Sequence, residues 1–203
     1  MAGPAMNKMF PVTALIGVLS LTVSGCSGAP AAEAPPLAGA KIGGPFAMTD
    51  QDGRAVTESS YAGKYRVLYF GYSYCPDVCP LDLQKLMQGY RQFAKADPAR
   101  AGRVQPIFVS VDPARDTPAV VKQYVTAFGP GLVGLTGTPA QLATMAKHYA
   151  VTYGRETPEK GSAYLINHSR MAMLFAPDGT PVALLRADES ADAVAADLDR
   201  WVA

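Results

Sequence analysis

The sequence predicts an α/β domain built on a central mixed, mostly parallel β-sheet flanked by helices, and three observations carry that expectation. Near-continuous apolar runs at residues 66–72 and 104–111 have the character of strands covered on both faces. Each is followed by a stretch whose large apolar residues fall at helical spacing. A strand, helix, strand, helix order calls for right-handed crossovers between parallel strands. The chain has 203 residues, 49% of them hydrophobic, which is enough to bury a core without disulfides or structural metal. Any cysteine or metal chemistry is therefore expected to be functional rather than a staple.

Taken in order, residues 43–57 read as an N-terminal hairpin turned at Asp52-Gly53. The run at 66–72 is a buried strand that delivers the chain into Cys75 and Cys79. From Pro80 the period changes, with Leu83, Leu86, Met87, Tyr90 and Ala94 on one helical face and proline tolerated at the first helical position. Residues 104–111 form a second buried strand. Thr117-Pro118 opens a helix bearing Val121, Tyr124, Val125 and Phe128, and Thr138-Pro139 opens another bearing Leu142, Met145, Ala146 and Tyr149. Residues 155–161 read as a polar, solvated insertion loop. Residues 163–167, 171–175 and 182–185 add strands, the last two as a hairpin, and Ser190 caps a final helix ending at Trp201. A dithiol between a strand end and a helix start on such a sheet is the thioredoxin-like arrangement.

The N-terminal region reads differently. Lys8 precedes an apolar run at 9–23 that is short for a bilayer-spanning helix, as in a secretory signal. Its end, Val23-Ser24-Gly25-Cys26, resembles the lipobox of bacterial lipoproteins, which makes Cys26 a lipid anchor. An ordinary signal peptide or an uncleaved membrane anchor are the alternatives. The organisation expected is a signal peptide at 1–25, a lipidated cysteine with an Ala/Pro-rich tether at 26–41, and a folded domain at 42–203. That places the domain in the bacterial periplasm, held at the outer face of the cytoplasmic membrane. With 18 Lys and Arg against 17 Asp and Glu, a phosphate-neutralising patch is disfavoured and no nucleic-acid partner is expected.

If Cys26 is consumed by lipid, Cys75 and Cys79 can bridge only to each other. At a helix N-terminus, free backbone N–H groups and the helix dipole favour thiolate, which serves both redox exchange and metal binding. Three intervening residues let both sulfurs approach one soft cation and also permit a disulfide. His168, in 165–170, is the third candidate. Two thiolates and an imidazole suit copper, with sulfur favouring Cu(I) and the mixed set accepting Cu(II). A plain structural disulfide, with a histidine uninvolved, remains an open reading of the residues alone.

These residues, with the blocks Gly44-Pro45-Phe46, Cys75-Pro-Asp-Val-Cys79-Pro80, 110–118, 134–139, His168-Ser169 and Pro177-Asp178-Gly179, resemble the SCO/SenC copper chaperones of cytochrome c oxidase assembly. The resemblance runs from Gly43 to about Gly179. It implies copper held by Cys75, Cys79 and His168. It also implies delivery to the dinuclear copper domain of oxidase subunit II, an upstream periplasmic copper donor and a thioredoxin-class thiol reductant. One departure is Asn167, where the family commonly has Asp, which removes a carboxylate beside the imidazole. The rival functions are a thiol:disulfide oxidoreductase using Cys75 and Cys79 as its catalytic redox pair, and a lipoprotein binding module with a passive disulfide. His148 is expected to be a half-exposed helix residue, Met171 and Met173 to be core, Asp77 to be a turn former, and Asp112 and Asp116 to serve turn and helix-start chemistry.

Overall fold

The computed structural model describes residues 1–3, 33–156 and 163–203. The signal-peptide and lipid-anchor expectations, Cys26 included, fall outside the described residues. Residues 34–203 form one compact unit. Among the described residues no helix is long and apolar enough to cross a membrane.

The strands are β1 (Ala47–Asp50), β2 (Ala55–Thr57), β3 (Tyr65–Gly71), β4 (Val104–Ser110), β5 (Val133–Thr136), β6 (Tyr153–Arg155), β7 (Ile166–His168), β8 (Ala172–Phe175) and β9 (Pro181–Leu185). The helices are α1 (Val78–Ala96), α2 (Pro98–Ala101), α3 (Pro118–Thr126), α4 (Pro139–His148) and α5 (Ala191–Trp201). Seven strands make one sheet in the order β2-β1-β5-β4-β3-β8-β9. Its centre, β5-β4-β3, is parallel, and β1 and β8 run against it on either side. β5, unmarked by any long apolar run, fills the place between β4 and the N-terminal hairpin.

β3 is the spine, with all seven residues buried. Its alternation sends neighbouring side chains to opposite faces. Tyr69 meets Asp82 of α1 on one face, while Phe70 meets Tyr149, at the end of α4, on the other. α1 lies between its partners on the first face: Arg91 Nη1 donates to Phe128 O past the end of α3, and Gly89 packs against Ala191 and Val194 of α5. The helix starts follow from their caps. Thr117, Thr138 and Ser190 each accept a hydrogen bond from a backbone N–H of the first turn, and Thr138 completes a reciprocal pair with Gln141.

Several expectations change in detail. α1 begins at Val78 rather than Pro80, so Cys79 lies inside its first turn. The strand expected near 163–167 is β7, shorter and displaced to end on His168, and it leaves the main sheet to pair with β6 in a two-stranded ribbon. β6 ends on Arg155, the first residue of the segment read as a solvated loop. Residues 36–39 make a turn, with Leu37 N–H donating to Val182 O, so the chain is tied to β9 ahead of residue 42.

Candidate metal centre

Each candidate ligand is placed by a different element end. Cys75 lies in the turn leaving β3, where its N–H donates to Tyr72 O. Cys79, wholly buried, sits in the first turn of α1. His168 ends β7, opposite Tyr153 in the ribbon. The two Sγ atoms and a ring nitrogen of His168 all lie within 4.8 Å of one another. His168 Nε2 is 3.1 Å from Cys79 Sγ, and Nδ1 is 3.1 Å from Ser169 O. A carbonyl only accepts, so Nδ1 carries the proton and the Nε2 lone pair faces the sulfurs. That is the tautomer a metal requires, and the donor set of two sulfurs and one imidazole fits a soft or borderline cation.

The two thiols are electrostatically unequal. Cys75 is pulled down to about 3, chiefly by the hydrogen bond from the Cys79 thiol, with the N–H groups of Asp77 and Cys79 adding to it. Cys79 N–H lies 3.5 Å from Cys75 Sγ, as expected for a helix N-terminus facing a thiolate. Cys79 is pushed up, first by that same hydrogen bond and then by burial. The pair thus rests with a thiolate on the half-buried Cys75 and the proton on Cys79. Both cysteines are free. Gly71 lies directly beneath: a Cβ there would stand 3.0 Å from Cys79 Sγ and 3.1 Å from the Tyr69 ring.

Surrounding groups that sequence reasoning missed hold these three in place. Tyr72 presents its ring edge-on to His168 at 5.9 Å, and its hydroxyl accepts from Ile166 N–H of β7 at 3.2 Å. Tyr69 donates to the buried carboxylate of Asp82, which also receives Nε and Nη2 of Arg170. A signal was present: Asp82 is a charged residue three positions after Cys79, on a helical face otherwise apolar. Its partner, two residues past His168, could be matched only through space.

Asp112 and Asp116 prove to be more than turn formers. Both are buried, and Asp116 accepts from Ser73 N–H at 3.0 Å, from the Ser73 hydroxyl and from the Ser110 hydroxyl, tying the cysteine turn to the end of β4. Asp112 receives Arg115 Nε and the Tyr164 hydroxyl, and Arg115 Nη1 donates to Tyr164 O. The Tyr164 ring carries the Arg115 guanidinium at 3.7 Å and that of Arg155 at 3.8 Å. The segment entering β7 is thereby fastened to the loop after β4.

His148 is half-buried and remote from the sulfurs, its Nδ1 2.8 Å from Pro45 O. Met173 is core, and Met171 packs partly buried against it. Asp77 is exposed at the N-cap position of α1 without a side-chain capping bond. Asn167 is exposed, and β-strand alternation turns it away from its neighbour, so the His168 Nδ1 partner is the Ser169 carbonyl instead. A cleft of about 370 Å³ opens over Cys75 and His168, bordered by Pro76, Glu156, Leu165 and Arg170.

A family model described as SCO1/SenC matches residues 34–203. The chain belongs to the SCO1/SenC family. It is 41% identical over 139 residues to the mitochondrial protein SCO2 of Saccharomyces cerevisiae, covering 68% of this chain and 45% of that one. It thus spans under half the length of that relative. Among solved structures, copper-bound ScoI of Bradyrhizobium japonicum is 41% identical with a TM-score of 0.70, covering 79% of this chain and 99% of that one. Copper-bound ScoI of Arabidopsis thaliana is 36% identical with a TM-score of 0.72, covering 78% and 97%. The mixed sheet flanked by helices is the thioredoxin-like fold of these SCO1/SenC proteins, as expected from the order of the elements.

Proposed function

We propose that this protein is a copper metallochaperone, holding copper on Cys75, Cys79 and His168 and passing it to the dinuclear copper site of cytochrome c oxidase subunit II. The observation that carries this reading is the convergence of three donor atoms within 4.8 Å, with the His168 Nε2 lone pair already aimed at the sulfurs. The copper-bound relatives support the choice of metal. The leader and Cys26 support a lipid-anchored protein at the periplasmic face of the cytoplasmic membrane, and the family resemblance implies an upstream copper donor and a thioredoxin-class reductant. Oxidation of the pair to a disulfide would release two electrons to an oxidant, with the single proton held by Cys79, and remove two of three ligands, so redox state gates binding.

A second reading, thiol:disulfide exchange toward the oxidase copper-site cysteines, has its own observation. Cys75 is an accessible thiolate and Cys79 a buried, protonated thiol, which is the division between an attacking and a resolving cysteine. Copper titration of the reduced full-length chain separates the two. One equivalent bound, with thiolate-to-Cu(II) absorption that collapses in both Cys75→Ser and His168→Ala, is expected of the chaperone. Binding that ignores His168→Ala, with disulfide exchange intact, would instead establish the reductase.

A further inference from the structure

His168 is held outside the main sheet. The seven-stranded sheet does not hydrogen-bond to β7, whose ladder partner is β6. The chain rejoins the sheet only at Ala172, opposite Tyr69. Between His168 and that point stands Arg170, whose guanidinium forks onto Asp82, Nη2 to Oδ1 at 2.9 Å and Nε to Oδ2 at 3.1 Å. Asp82 is buried on the rigid helix that carries Cys79 three residues earlier, which puts the two on one face of α1. Two rungs therefore join the same pair of segments: Cys79 to His168, and Asp82 to Arg170. The Tyr69 hydroxyl braces the second rung at 3.0 Å, and its ring stands edge-on to the imidazole at 6.4 Å.

From this geometry we infer that the Asp82–Arg170 pair is a positioning device for His168, setting how firmly the imidazole engages copper held by the two sulfurs. The inference rests on the copper reading above. A planar fork on a buried carboxylate fixes distance and angle at once, which a point charge does not. Cu(I), satisfied largely by thiolate sulfur, depends on this placement less than Cu(II), which draws more on the imidazole. The pair is thus a determinant of oxidation-state preference, acting through His168 rather than touching the metal.

The test uses the reduced full-length chain, with Cu(II) and Cu(I) affinities read by chelator competition and imidazole nitrogen coupling read by pulsed EPR. Arg170→Lys keeps the charge and loses the fork. It is expected to weaken Cu(II) by about 10- to 100-fold, the usual effect of disturbing the partners that orient a ligand. Nitrogen coupling should change as well, and Cu(I) should weaken much less. In a His168→Ala background the same substitution is expected to cost nothing further, because the two act through one contact. Wild-type Cu(II) affinity and coupling in Arg170→Lys would overturn the inference, as would an equal loss in both backgrounds. Asp82→Asn, if it folds by circular dichroism, should match Arg170→Lys. If it does not fold, Arg170→Lys decides alone. Failure of the parent reading looks different: His168→Ala itself would then leave Cu(II) affinity unchanged.

Discussion

Cys75 and Cys79 share one proton between unequal sites, and that inequality has a measurable consequence. Only thiolate reacts with iodoacetamide, so a cysteine held at about 3 stays reactive as pH falls and loses reactivity only on approaching that value. The alkylation rate of Cys75 is expected to be nearly flat between pH 8 and pH 5, where an ordinary thiol near about 8.5 would slow by orders of magnitude. Peptide mapping should find the label on Cys75, since Cys79 is buried and protonated. Cys79→Ala removes the leading cause of the shift and should restore an ordinary profile. Gly71 tests packing at the same place. Gly71→Ala would press a methyl group against Cys79 Sγ, the Tyr69 ring and Phe108. We expect about 1–3 kcal/mol of destabilisation in urea unfolding, with weakened copper binding, because neither the aromatic rings nor the helix start can retreat without displacing the sulfur.

At the scale of elements, the helix α1 is held by the residues that let others come close. Gly89→Ala sets two effects against each other. Helix propensity gains up to about 1 kcal/mol. The new Cβ, however, would stand 2.5 Å from Ala191 O and 2.6 Å from Val194 Cβ, and overpacking costs roughly 1–3 kcal/mol. Net loss of stability, seen as a lower urea midpoint, is expected. Asp116 plays the equivalent part for the cysteine turn. Asp116→Ala strands the Ser73 N–H and two hydroxyls, and should cost about 3 kcal/mol. Its deletion should also loosen the turn, so copper affinity falls with stability. The hairpin at Asp52-Gly53, the capped helices and the β8–β9 hairpin were legible because turn chemistry and caps act over four residues or fewer. β5, β6 and the pairing of β6 with β7 were not. β5 is a strand by virtue of the neighbours it pairs with, and β6 is three exposed residues that no period marks.

For the whole molecule, the centre joins parts that the main sheet does not. Cys75 and Cys79 follow β3, while His168 belongs to the ribbon. Copper bridging them should stabilise the native state by about 2.7 kcal/mol when free metal is a hundredfold above the dissociation constant. The gain should be unevenly distributed. Hydrogen exchange at Tyr153–Arg155 and Ile166–His168 is expected to slow on adding copper to the reduced protein, while the buried β3–β4 core is expected to change little. Uniform slowing across the sheet, or none in the ribbon, would argue against His168 as a ligand.

The sequence by itself determined the main strands and helices and the placement of the two cysteines at a strand-to-helix turn, while His168 joined them as a ligand only through the family resemblance. The former are consequences of periodicity and capping, readable along one chain. Tertiary structure decided the rest. It took β7 out of the main sheet, made buried anchors of Asp112 and Asp116, and turned Asn167 away from the imidazole. It also brought Arg170 onto Asp82, 88 residues distant. A buried charge must find its counter-charge wherever the fold offers one, and that partner is chosen by proximity in space rather than by position in the chain.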